Sequence, residues 1–147
     1  MITILGIDPG TTGAIAALYG TGAHNVWDMP ANPHDLYGLL ETVINEDDGI
    51  GMAYLEKAQA MPKQGVVSMF NYGVGYGQIL GILAACSVPY TLVTPPVWKR
   101  ALGLTGKPKE ASRAMARQLF PTAPLSRVKD HGRAEALLIA EWGRRRS

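Results

Sequence analysis

Residues 1–8 form a compact apolar run, ITILGI, that stops at Asp8 and passes directly into Pro9-Gly10. A run of this length ending at a carboxylate and a turn signal reads as a buried strand. Residues 13–19, GAIAALY, follow at hairpin distance and read as its paired neighbour, and after a turn at 20–22 residues 24–29 form a third short strand. The chain therefore opens as a β-meander.

Further on the pattern changes period. Asn32 is placed to cap a helix with Pro33 at its first position, and Leu36, Leu39, Leu40, Val43 and Ile44 recur at helical spacing. Glu46, Asp47, Asp48 and Gly49 end that helix. Residues 50–56, IGMAYLE, again form an apolar run ending at a carboxylate, a strand expected to run parallel to the first because a helix separates it from the meander. A loop with Pro62 and Gly65 leads into residues 66–86, read as a helix despite Gly73, Gly75, Gly77 and Gly81. Each interior glycine costs a helix about 1 kcal/mol relative to alanine, so small residues here suggest close packing against a sheet or a second subunit. A strand at 89–93 and helices at 109–120 and 131–142 complete the order βββαβαβαα, with a further short helix around Trp98 outside that order. The expectation is one mixed α/β domain over residues 1–147, with a central sheet of about five strands flanked by helices.

Composition narrows the class. Of 147 residues, 47% are apolar and 18% charged, which excludes a disordered chain, a coiled coil or collagen. The single cysteine, Cys86, excludes a disulfide framework and a multi-cysteine zinc cluster, and reads as a small core residue. No apolar run is read as reaching the ~18 residues of a membrane span, and the first residues lack a signal peptide's basic region, so a cytoplasmic protein without membrane contact is expected. The net charge of +2 conceals two halves: before Lys99 there are two basic and eight acidic residues, net −6, and from Lys99 onward twelve basic and four acidic residues, net +8. A basic half of this kind suits a polyanion, although a solvated surface gives the same count.

The two strand-end carboxylates are the chemical signal. If their strands are adjacent and parallel, Asp8 and Glu56 emerge side by side at the sheet edge where open α/β sheets place their sites. Two close carboxylates repel unless a proton or cation intervenes, and for oxygen ligands the natural cation is magnesium or manganese before zinc. In the last helix His131 and Glu135 lie four apart on one face, while Asp130 stands where a helix N-cap is expected. Glu135 borders the apolar run ALLIA, where a carboxylate is costly without a partner. Asp8, Glu56, Glu135 and one of His131 or Asp130 would make a cluster able to hold two Mg2+ or Mn2+ ions, the arrangement that hydrolyses phosphodiesters. Taken singly, a strand-end carboxylate is more often a turn residue, and a His-Glu pair a surface pair.

Four segments together resemble RuvC-type Holliday junction resolvases, particularly the small versions from phages and prophages: GIDPGTTGAIAAL at 6–18, YLEKAQAMPKQGVVSMFNYGVGYG at 54–77, PYTLVTPPVWKRALGLTGKPKEASRA at 89–114 and KDHGRAEALLIAEWG at 129–143. The resemblance implies an RNase H-like fold, a homodimer, and metal-dependent, structure-selective cutting of branched DNA, with no small-molecule cofactor, in a bacterial cell or phage-infected host. It matches Asp8, Glu56 and Glu135 to three acidic ligands. The fourth lies one turn before the last, where a count of three back gives Gly132 and four back gives His131, which is preferred over Asp130. It places Lys99 and Lys109 near the scissile phosphate, where an ammonium offsets developing charge. Lys107, Arg113, Arg127, Lys129 and Arg133 would then track the DNA backbone. The family's wedging aromatic falls at Gln59 by offset. Phe70 is the nearby aromatic that could stack on an unpaired base, its ordinary alternative being the core.

The segment DPGTTG also looks like the phosphate loop of sugar kinases, but those enzymes clamp nucleotide between two such domains. An RNase H-like nuclease processing RNA, and a non-catalytic junction-binding protein, are the other readings considered.

Overall fold

A computed structural model of the protein describes residues 2–46, 48–59 and 63–147. Met1, Asp47 and Pro62, read above as part of the first strand, the end of the first helix and a loop, lie outside the described residues. Five strands, β1 (Thr3–Asp8), β2 (Ala14–Leu18), β3 (His24–Asp28), β4 (Ile50–Glu56) and β5 (Tyr90–Val93), form one sheet in the order β3-β2-β1-β4-β5. The meander is antiparallel, with Asp8 opposite Ala14 and Ala14 opposite Asp28. β4 runs parallel to β1, with Ile7 level with Leu55, and β5 runs parallel to β4. Asp8 and Glu56 therefore leave the sheet one residue beyond the same level, as the helical crossover between β3 and β4 led us to expect.

Both faces of the central strands are buried, so they read as continuous apolar runs rather than alternating ones. Leu5, Ile7, Ile15, Ala17, Ala53 and Leu55 point to a face covered by α1 (Pro33–Ile44) and α2 (Val66–Ala85). Ile4, Ala14, Ala16, Leu18 and Tyr54 point to the other, covered by α3 (Pro95–Ala101), α4 (Lys109–Leu119) and α5 (His131–Arg146). Strand period two puts Asp8 with Ile4 and Gly6, and Glu56 with Tyr54, on this second face. The chemistry is thus directed toward α5.

α5 lies unusually close to the sheet. A Cβ at Gly6 would stand 2.2 Å from the Ala136 carbonyl oxygen, and one at Gly132 would stand 2.2 Å from the carbonyl oxygen of Thr12. Gly132, Ala136, Ala140 and Gly143 form the face that permits this approach, and they fix how far Glu135 reaches over β1 and β4. Gly132 is therefore a packing residue.

α2 is different. Asn32 caps α1 as expected, its side chain accepting from the Asp35 amide at 2.9 Å, but α2 buries only Ile79 and Leu83. A Cβ at Gly73, Gly75, Gly77 or Gly81 would meet no atom within 4 Å, so these glycines do not serve close packing on the sheet. Val66, Val67 and Phe70 are 86%, 73% and 69% exposed. By length and composition α2 does reach what a bilayer-crossing helix needs, contrary to the expectation that no such run exists.

Candidate metal centre

Asp8 at the end of β1, Glu56 at the end of β4 and Glu135 in the second turn of α5 each place a carboxylate oxygen within 4.8 Å of the other two. Adjacent parallel strands supply the first two groups, and the small-residue face of α5 lowers the third onto them. Burial pushes the Asp8 pKa up to about 8, with the charges of Glu135 and Glu56 adding to it and those of Lys109 and Lys99 opposing it. Burial also raises the Glu56 carboxyl above its usual range, against a hydrogen bond from Trp98 and the charge of Lys99. Carboxylates this close repel one another unless a proton or a cation joins them. An all-oxygen donor set of this kind fits a hard divalent ion such as Mg2+ or Mn2+.

Trp98 is a site residue that the sequence reading passed over. Its ring is fully buried, and its Nε1 donates to Glu56 Oε2 at 2.9 Å. The neighbouring Lys99 has its Nζ 5.5 Å from the same ring. α3 therefore orients one carboxylate and supplies one cation. The signal available was a lone tryptophan beside a lysine in VWKR, after Thr94-Pro95-Pro96.

The candidate fourth ligands separate clearly. His131 opens α5, one turn before Glu135, and its Nδ1 is buried with no hydrogen-bond partner. It stands outside the group of three carboxylates. Asp130 is already engaged: it accepts from the Arg127 backbone N–H at 2.9 Å and from Arg127 Nε and Nη2 at 3.0 and 2.8 Å, with Arg133 Nη1 at 3.7 Å. Burial alone would raise its pKa, but these hydrogen bonds and the two guanidinium charges outweigh it and hold the carboxyl below its usual range. Asp130 is thus corrected from candidate ligand to internal anchor, and its side chain makes no cap hydrogen bond to α5.

Several cations expected at DNA are likewise committed within the chain. Arg133 forks onto Asp28 at 2.7 and 3.0 Å and donates to the Pro124 carbonyl at 3.1 Å. Arg113 is buried, donating to the Leu125 carbonyl at 2.8 Å and pairing with Glu110. Arg127 is half-exposed but holds Asp130. Toward the end of α5, Arg144 and Arg145 both pair with the buried Glu141. The basic half is therefore partly an internal framework. Lys107 and Lys129 are exposed, and Lys99 and Lys109 face the carboxylates. Phe70, for which the core was the ordinary alternative, lies on the surface of α2.

No family model matches the chain. Over 94 residues, 60% of this chain and 10% of the relative, it is 43% identical to the chloroplastic Holliday junction resolvase MOC1 of Chlamydomonas reinhardtii, so the match spans a tenth of that relative's length. Among solved structures it is similar to T. thermophilus RuvC in complex with a Holliday junction substrate, with a TM-score of 0.65 and 19% identity over 99% of this chain and 97% of that one. A second structure of Thermus thermophilus RuvC gives a TM-score of 0.63 at 20% identity, covering 99% and 96% of the two chains. At these identities the likeness is one of fold, and the fold is the RNase H-like one expected from the sequence.

Proposed function

We propose that the protein is a metal-dependent, structure-selective DNA endonuclease that cuts four-way junctions and related branched DNA. The observation that carries this reading is the meeting of Asp8, Glu56 and Glu135 beside Lys99 and Lys109 in a fold shared with RuvC. The partial match to a Holliday junction resolvase supports the choice of substrate. Asp8, Glu56 and Glu135 would hold Mg2+ or Mn2+, two ions per site being the expected number, with His131 Nδ1 as the unpartnered donor one turn away. The chemistry such ions supply is activation of the attacking water and neutralisation of charge at a phosphodiester.

The chain's own groups divide the remaining work. Trp98 fixes the Glu56 carboxylate through its indole N–H. Lys99 and Lys109 offset charge that builds on the phosphate oxygens during attack. Lys107 and Lys129, with the exposed part of Arg127, track the backbone and position DNA without reading it. Phe70 projects from α2, where it can stack on a base left unpaired at the branch. The exposed face of α2 with Val66, Gly73, Gly77 and Gly81 suits a second copy of the chain, and a two-fold dimer would present two sites to opposed strands. The expected products carry 5′-phosphate and 3′-hydroxyl ends, and the expected setting is the cytoplasm of a bacterial or phage-infected cell.

The test is single-turnover cleavage of a labelled four-way junction, a linear duplex and an RNA–DNA hybrid, each with Mg2+ and with chelator. Mg2+-dependent, symmetric nicks confined to the junction are expected. Cutting of the RNA strand instead would assign an RNA-processing nuclease, and tight junction binding without cutting would assign a binding module.

A further inference from the structure

Before Lys99 the chain has two basic residues, Lys57 and Lys63, and Lys57 follows Glu56 directly. The Lys57 backbone N–H donates to the Val93 carbonyl at 2.8 Å, so the pairing of β4 with β5 continues one residue past Glu56. Period two then turns Lys57 to the face of Leu55, opposite to that of Glu56. Lys57 is exposed, and among the described residues its ammonium pairs with no carboxylate. A cation placed next to a buried carboxylate, yet not spent on it, is available to something outside the chain.

The same lysine lines a cavity of about 570 Å3 together with Glu56, Pro95 and the turn that follows β1. That turn is closed by the Gly13 N–H on the Gly10 carbonyl at 3.1 Å, with Gly10 at a φ of 105° that favours glycine. Thr11 and Thr12 stand exposed at its apex, and among the described residues their hydroxyls meet no protein partner. The segment DPGTTG thus sets two hydroxyls and one ammonium around a space that borders the carboxylates. These are the donors that phosphate oxygens take. Lys99 and Lys109 act on the same carboxylates from α3 and α4, on the opposite face of the sheet. A DNA strand laid across Asp8 and Glu56 therefore meets cations on both sides of the cut.

We infer that Lys57, with Thr11 and Thr12, holds the phosphate next to the one being cut, on the α2 side of the metal centre, and so sets the register of the nick. The inference rests on the nuclease reading above and adds a backbone grip opposite Lys99 and Lys109. Held on both sides, the strand offers one phosphodiester to the carboxylates. Held on one side, it can slip by a nucleotide.

The experiment measures single-turnover cleavage by the full chain, by Lys57→Met and by Lys63→Met, with nick positions read to the nucleotide. The substrates are four-way junctions in which one phosphate at a time, on either side of the mapped cut, is replaced by an uncharged methylphosphonate. For the wild type, one neighbouring phosphate should slow cutting about tenfold when neutralised, the size of one charge-assisted contact. Lys57→Met should slow the unmodified junction by about the same factor and add nicks one nucleotide away. At the critical phosphate it should lose no more than about twofold further, because the two changes remove one contact. Its melting temperature should match the wild type, since the side chain is exposed. Lys63→Met, outside the cavity, should cut as the wild type does. A Lys57→Met that keeps the wild-type rate and nick position, or the wild-type methylphosphonate profile scaled by one factor, overturns the grip alone. An equal loss in Lys63→Met also overturns it, by reducing the effect to net charge. A wild type that cuts no junction overturns the nuclease reading itself.

Discussion

Where α5 crosses the sheet, glycine and alanine bring helix backbone against strand backbone, and buried Asp130 and Glu141 are held by arginines from the same segment. Where α2 crosses the opposite face, Ile79 and Leu83 are buried, Tyr76, Leu80 and Ile82 pack against the core in part, and Val66, Val67, Phe70 and Val74 point outward. The first arrangement positions a carboxylate to within the tolerance that packed atoms allow. The second leaves apolar side chains such as Val66, Val67 and Phe70 exposed. One sheet thus carries a tightly packed side that holds the carboxylates and a side whose covering helix stays largely open.

The largest expected effect breaks the first side. Gly132→Val places side-chain atoms against the Thr12 carbonyl, and such overpacking against backbone should cost about 3 kcal/mol or more in urea unfolding. An unfolding midpoint unchanged by that substitution would mean α5 sits further from the sheet than described here.

A pH series isolates the electrostatic part of the same side. With the Asp8 pKa raised from 3.8 to about 8, the folded chain keeps a proton that the unfolded chain releases across that interval. Stability of the cation-depleted protein should therefore fall as pH rises from about 5 to about 8. Thermal melts in chelator should show this decline. Added Mg2+ should restore stability at the upper end, and Asp8→Asn should flatten the profile. A wild-type melt in chelator that rises over this range would contradict the burial of Asp8.

Arg133→Ala removes the fork onto Asp28 and one of the two guanidinium partners of Asp130, and should cost about 2 kcal/mol. Junction affinity measured in excess of folded protein should hardly change, whereas Lys107→Ala should lower it and reduce its salt dependence. The reverse ranking would return Arg133 to the DNA surface. At the other extreme, Gly77→Ala on α2 meets no atom and should stabilise the monomer by about 1 kcal/mol. If α2 pairs with a second copy, sedimentation should show weaker self-association in the same variant.

The sheet and both strand carboxylates were legible because apolar runs that stop at Asp8 and Glu56 are local signals of buried strands. The helix between β3 and β4 then fixed their parallel pairing. Glu135 was legible as a charge against the apolar run ALLIA. Other features depend on contacts that spacing does not encode. Asp130 precedes a helix and so reads as a cap, yet Arg127 three residues earlier captures it in a single 3-10 turn, Val128–Asp130. Arg133 meets Asp28 across 105 positions of sequence. Gly132 looked like a gap in a ligand pattern until the Thr12 carbonyl above it gave the reason for glycine. The glycines of α2 suggested close packing against a sheet or a second subunit, and a Cβ at each would meet no atom of the chain within 4 Å, so they do not pack on the sheet.

The most direct test of the central claim compares wild type with Asp8→Asn on one labelled four-way junction, measuring single-turnover cutting in Mg2+ and binding in its absence. The account predicts that cutting falls by about a thousandfold or more while junction affinity is kept, since Asp8 serves the reaction and not the hold on DNA. Cutting that persists within about tenfold of wild type, or binding lost in step with it, would show that Asp8 is a structural residue and that the three carboxylates are not the reactive centre.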